Sequence, residues 1–325
     1  MRPFRYERAA DARGALALAE APHAKYLGGG TNLVDLMRLG VETPALLVDV
    51  TKSGEQDVVE TDTGGLRIGA SVRNSDLASH PLVRERYPAV SAALLAGASG
   101  QLRNLATTGG NLLQRTRCLY FQDVTKPCNK RVRGSGCPAI DGEHRNLAIL
   151  GWSEHCVATH PSDLAVALAA FDAVVHVEGP SGARSVPLAE LHRLPADAPE
   201  RDTVLDPADL ILAVELPPLP IARASRYAKV RERASFAFAV VSIAAALDVR
   251  DGTVVAARVA LGGVAHKPWR ARHAEDILAG APATAESFRR AADAELAHAR
   301  PLRDNGYKLA LARNLIVGTL TELAA

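Results

Sequence analysis

Residues 118 to 137, CLYFQDVTKPCNKRVRGSGC, hold three of the chain's four cysteines and show no sustained helical or strand period. Backbone that joins neither helix nor sheet lacks regular partners for its amides, so a loop of this length inside a compact domain needs something to organise it. The fourth cysteine follows at Cys156. No two of Cys118, Cys128, Cys137 and Cys156 stand as a C-x2-4-C knuckle, so structural zinc is the weaker metal reading. Widely spaced thiolates suit an iron-sulfur cluster wrapped by a loop, and Pro127, Gly134, Gly136 and Pro138 keep this segment irregular. Lys126, Lys130, Arg131 and Arg133 face a single acid, Asp123, between Cys118 and Cys137. Cations near an anionic cluster stabilise it and raise its potential. The alternative is a solvated basic loop with unrelated buried thiols.

The chain has 325 residues, 48% hydrophobic and 23% charged, enough for two or three domains with real cores. Its 38 basic and 36 acidic residues leave a net charge of +2, which argues against nucleic acid or an anionic membrane as partner. No apolar run reaches the ~18 to 20 residues of a membrane span, and MRPFRYERAADARG lacks the apolar stretch of a secretory signal. Four cysteines are too few for a disulfide scaffold. With no Ser/His/Asp or Cys/His arrangement that demands hydrolysis, His144, His155 and His160 read as polar loop residues.

In the first two thirds, β-like and helical segments alternate. KYLGGG ends a strand and LVDLMRLG opens a short helix, while LLVDV, GLRIGASV and LILAVELP read as further strands. Residues 89 to 106 predict one small-residue helix, and a helix begins at Ser162 and Asp163. Pro217, Pro218 and Pro220 mark a domain boundary. Beyond it, two apolar runs joined by Arg-Asp-Gly signal a hairpin, and helices are expected around 284 to 299 and 305 to 322.

Two glycine clusters suit phosphate. In Gly28-Gly29-Gly30-Thr31-Asn32 the absent side chains let successive N-H groups converge on an anion, and Thr107-Thr108-Gly109-Gly110-Asn111 repeats the chemistry with hydroxyls and an amide. Together they suit a pyrophosphate. Neither matches the Rossmann or P-loop pattern.

YLGGGTNLVDLM, TTGGNL, HPSDLAVAL, YAKVRERASFAFAVVSIA and LGGVAHKPWRA together resemble the FAD-binding subunit of the molybdenum hydroxylases, the xanthine dehydrogenase and aldehyde oxidoreductase family. The resemblance covers essentially the whole chain. Leu112 to Thr159, with every cysteine, are interposed where most such subunits run directly from GGN to S-D-L. This looks like the subgroup with an additional 4Fe-4S cluster, that of the bacterial periplasmic aldehyde oxidoreductases; the 4-hydroxybenzoyl-CoA reductases space the cysteines differently.

The resemblance implies an α+β fold: a two-part FAD-binding domain of the vanillyl-alcohol-oxidase type over 1–220, with 112–159 as an inserted iron-sulfur loop, then a smaller α+β domain over 221–325 of the CO dehydrogenase flavoprotein type. It implies that Tyr26, Leu27, Gly28, Gly29, Gly30, Thr31, Asn32 and Leu33 hold the FAD pyrophosphate, completed by Thr107, Gly110 and Asn111. Asp163 would bind the adenosine part, Ile211 would pack on the cofactor, and Lys229 would lie near the flavin end. The four cysteines would ligate the 4Fe-4S cluster. No catalytic residue is expected, because in this family a large molybdenum-cofactor subunit oxidises the substrate. A small subunit with two 2Fe-2S clusters then passes electrons to FAD and on to an external acceptor. The chain carries no export signal of its own, so the resemblance implies a cytoplasmic complex, or a periplasmic one exported on a partner's twin-arginine signal. A stand-alone FAD oxidase and a non-enzymatic zinc or redox-sensing protein are the rival classes.

Overall fold

The computed structural model describes residues 1–325 and contains three sheets. The first is parallel, with Leu46–Asp49 between Arg5–Arg8 and Ala24–Leu27. Parallel neighbours need crossovers. Helices Ala12–Ala19 and Leu33–Arg38 supply them, and Asp11 caps the former by accepting from the Gly14 N-H at 2.7 Å.

The second sheet is antiparallel throughout, in the order Val58–Glu60, Leu66–Gly69, Leu210–Leu216, Val174–Gly179, Gly182–Pro187. The third, also antiparallel, runs Trp269–Arg270, Thr253–Gly262, Val241–Arg250, Ser225–Val230 and packs against helices Arg272–Leu278, Ala285–Leu296 and Tyr307–Ala324. Helix Asp163–Ala170 packs against the third sheet, and every one of its residues is buried. A helix that is apolar all round requires this setting. Its N-terminal residue, Asp163, is thereby fixed at the junction of the two halves.

Several expectations hold. The hairpin at Arg-Asp-Gly forms with Asp251 at φ 50° and Gly252 at φ 71°, as a two-residue turn with both central residues left-handed requires. The Ala-rich C-terminal helices span Ala285–Leu296 and Tyr307–Ala324. The single helix expected over 89 to 106 does not form. It stops at Ala96, Ala98 turns the chain at φ 51°, and Ser99 restarts a short helix, Gly100–Arg103, by accepting from the Leu102 N-H. The break brings Gly97 so close to Asp163 that a Cβ there would lie 3.1 Å from its Oδ2.

The segment 112–159 contains only the ends and turns of helices, chiefly Leu119–Gln122. Its two ends build a small core of their own, where Cys118, Cys128 and Cys156 pack with Leu36, Phe121 and Val157. The stretch between them, at Ile149 and Leu150, enters the core of the C-terminal sheet. There Lys308, wholly buried, donates to the carbonyls of Asn146, Leu147 and Gly263 at 3.0, 2.9 and 2.7 Å. Burial, with Arg145 nearby, lowers this ammonium to about 7. No helix is long and apolar enough to cross a membrane.

Candidate functional site

The two glycine clusters meet. Strand Ala24–Leu27 delivers Gly28-Gly29 against Leu105–Thr107, the segment that leads into the second cluster. Thr107 caps helix Thr108–Leu112 by accepting from the Gly110 N-H at 3.3 Å, and Asn111 Oδ1 accepts from the Ser162 hydroxyl at 2.6 Å. Along this seam opens a cavity of about 1430 Å³. Its walls include Tyr26, Gly28 to Leu33, Thr107, Gly110, Asn111, Asp163 and Ile211. Tyr26 donates to the Ala208 carbonyl at 2.9 Å, and burial raises its phenol to about 12.

Leu27 and Lys229 lie outside this wall. The Lys229 ammonium donates to Asp163 Oδ2 at 2.7 Å and to the Ala96 carbonyl at 3.1 Å, while Tyr227 donates to Asp163 Oδ1 at 2.5 Å. Burial raises the Asp163 carboxyl, and Lys229 opposes that rise. Lys229 therefore meets the cavity only through Asp163.

A charged network walls the cavity from the cysteines. Arg115 spans Glu42 and Asp202, each at 2.7 Å, and its backbone N-H donates to Asn32 Oδ1 at 2.9 Å. Buried Lys130 donates to Asp202 and to the Pro199 carbonyl. Asp202, in spite of burial, is held well below the usual carboxylate range by Lys130 and Arg115.

All four cysteines are free and gather in one cluster, Cys137 being the least buried. Backbone N-H groups near the sulfurs favour the thiolates: those of Tyr120 and Phe121 at Cys118, those of Ala139, Ile140 and Val157 at Cys137, and that of Ala158 at Cys156. The hydrogen bond from Cys156 brings Cys137 down to about 7 and drives Cys156 up, whereas burial pushes Cys118 to about 11. No group of three or more His, Cys, Asp or Glu side chains is arranged to hold a single metal ion.

Residues 2–219 match the model of the FAD binding domain in molybdopterin dehydrogenase, and residues 226–323 match the CO dehydrogenase flavoprotein C-terminal domain. The chain belongs to the molybdenum hydroxylase family as its FAD-binding subunit. It is 51% identical to the aldehyde oxidoreductase FAD-binding subunit PaoB of Escherichia coli K12, over 100% of this chain and 99% of that one. It is 26% identical to the glyceraldehyde dehydrogenase medium chain of Sulfolobus acidocaldarius, over 85% and 81%. Its fold is similar to that of CO dehydrogenase from Oligotropha carboxidovorans, with a TM-score of 0.77 at 21% identity over 99% and 98% of the two chains.

The cavity of this FAD subunit fits its cofactor. The buried Asn32 Nδ2 has no partner within the protein, and the paired glycine loops leave open space where side chains would otherwise project. The thiol cluster fits an anionic core for a different reason: nearby backbone N-H groups favour negative charge on its sulfurs. Of the loop's cations, only Lys130 is buried beside the thiols and lowers Cys156; Arg131 is spent on the Tyr120 and Phe121 carbonyls and exposed Arg133 lies near Asp197. The basic loop of the sequence is thus a single buried charge in the fold.

His144 is a loop residue that is nonetheless buried, with Nδ1 at the Ala139 carbonyl and Nε2 at the Asp304 N-H. His155 remains exposed. His160 packs edge-on against His192 with ring centroids 4.3 Å apart. Burial lowers His192 to about 4 and His266 to about 3. The unfolded chain takes up a proton on each near pH ~6.5, so it binds more protons than the folded chain throughout that window. Stability is therefore lost as pH falls below ~6.5, by about 1.4 kcal/mol per pH unit for each histidine until its folded pKa is reached. Urea midpoints measured from about pH 7.5 to 5 should drop accordingly. His192→Gln, which keeps a donor towards the Leu112 carbonyl, should drop less steeply.

Sequence reasoning missed Arg115, Glu42 and Asp202, whose pairing joins remote positions. No local spacing signals it.

Proposed function

We propose that the chain is the FAD- and 4Fe-4S-containing electron-transfer subunit of a heterotrimeric molybdenum hydroxylase that oxidises aldehydes. On this reading residues 1–220 bind FAD, 112–159 carry the cluster on Cys118, Cys128, Cys137 and Cys156, and 221–325 form the C-terminal domain. The partners are a large molybdenum-cofactor subunit, where substrate is oxidised, and a small subunit with two 2Fe-2S clusters; an external acceptor takes the electrons. When bound, the flavin supplies the exchange of one or two electrons. The chain's own residues hold the cofactor along the two glycine loops, with Thr107, Gly110, Asn111 and Ile211 on the cavity wall. Asp163, neutralised by Lys229, closes one side of that wall.

Full-length similarity to an aldehyde oxidoreductase subunit supports the aldehyde reading. The observation that carries the cluster is the convergence of four free thiols in one apolar nest, with backbone N-H groups near three of them that favour the thiolate. Anaerobic iron, sulfide, zinc and FAD analysis, with low-temperature EPR after dithionite, tests it on wild type and Cys128→Ser. About four irons and four sulfides per FAD are expected, with the reduced-cluster signal lost or altered in the variant. FAD without iron would leave the flavoprotein and remove the cluster.

A further inference from the structure

The cavity wall carries several cations, and nearly all are occupied within the protein. Lys25 pairs with Glu42 at 2.8 Å, Arg115 with Glu42 and Asp202, and Lys130 with Asp202. Arg103 donates to the Gly97 carbonyl at 2.7 Å, Arg131 to Tyr120, and Arg233 to Phe236. Arg117 differs. It lines the cavity, its side chain is only 24% exposed, and it makes no hydrogen bond; its nearest carboxylate, on Asp35, is 3.9 Å away and half exposed. Its Nε is buried without a partner, and its guanidinium lies 4.9 Å over the Phe238 ring, which holds it in place. Half-exposed Arg201 also lacks a hydrogen bond, but water can satisfy it. A partly buried guanidinium without a hydrogen bond costs desolvation free energy that a directly bonded anion repays.

The anion is indicated by what stands beside it. Asp35 belongs to the helix that follows the Gly28–Asn32 loop, and two positions before Arg117 the Arg115 N-H is bonded to Asn32. We propose that Arg117, supplied by the inserted segment, is a cofactor-binding residue that pairs its guanidinium with the pyrophosphate of FAD. The assignment rests on FAD occupying this cavity, and it makes the residue before Cys118 a shared post of the cluster loop and the flavin site.

The test titrates the full-length chain, stripped of flavin, with FAD and with riboflavin, which has no phosphate, following flavin fluorescence. Arg117→Met should weaken FAD about 10- to 100-fold and leave riboflavin unchanged, as loss of one charge-assisted contact requires. Arg117→Lys should fall between. The ³¹P resonances of bound FAD should also shift in Arg117→Met. Equal FAD affinity in wild type and Arg117→Met, or equal losses for FAD and riboflavin, would overturn the assignment. A wild-type chain that took up no FAD would overturn the flavoprotein reading with it.

Discussion

Substituting alanine at Gly29 should yield a chain that retains no flavin. A Cβ at that position would lie 2.0 Å from the Leu105 carbonyl oxygen, 2.5 Å from its carbon and 2.9 Å from Ala106 Cα. All three are backbone atoms. A flexible side chain could swing aside, but here the two loops themselves must part, at a cost beyond the ~1 to 3 kcal/mol of ordinary core overpacking. Because Leu105–Thr107 leads into the second glycine cluster, separating the loops also pulls apart the two halves of the proposed FAD cradle. Gly100→Ala is the control, since a Cβ there meets nothing within 4 Å. Absorbance at flavin wavelengths after gel filtration reads the result: Gly100→Ala yellow, Gly29→Ala colourless. A Gly29→Ala chain with full flavin would show that the loops do not act as one cradle.

Replacing Asp163 with alanine should destabilise even the flavin-free chain, by about 3 to 5 kcal/mol, the usual cost of orphaning a buried charge. The lysine it would strand is 3% exposed, and the Ala96 carbonyl would be its one remaining hydrogen-bond partner. Lys229→Met added to Asp163→Ala should therefore recover part of the loss, which a double-mutant cycle in urea would record. If Asp163 served the cofactor alone, the flavin-free chain would keep its stability and the cycle would show no coupling. FAD affinity measured on the same variants separates the two contributions.

The core strands were legible because their signals are local. Leu210–Leu216 and the hairpin at Asp251-Gly252 are set by apolar runs and by turn chemistry within a few residues. The helix over 89 to 106 was misread because its break serves a distant residue: Gly97 yields space to Asp163, and no periodicity encodes that. Helices Ala12–Ala19 and Arg272–Leu278 went unread, as did strand Arg5–Arg8 and its parallel pairing with Leu46–Asp49, since short segments leave little periodic pattern. In the site, the glycine loops and cysteines announced themselves by residue type. The ion pairs between Arg115, Glu42, Lys130 and Asp202 did not, because charges in sequence carry no record of their partners.

The inserted segment also acts as a hasp. Its start and its end share apolar contacts with Leu36, under the first glycine loop, while its middle, Ile149 and Leu150, lies inside the C-terminal core beside the Leu147 and Ala148 carbonyls gripped by Lys308 and Asn305. A proline-rich joint such as 217 to 220 would by itself let two domains swing. With the hasp closed, that swing is locked out, and the distance between the flavin cavity and any surface on the C-terminal half is fixed. The loop that holds the cysteines thus also serves as the part that keeps the two halves of the chain from drifting apart.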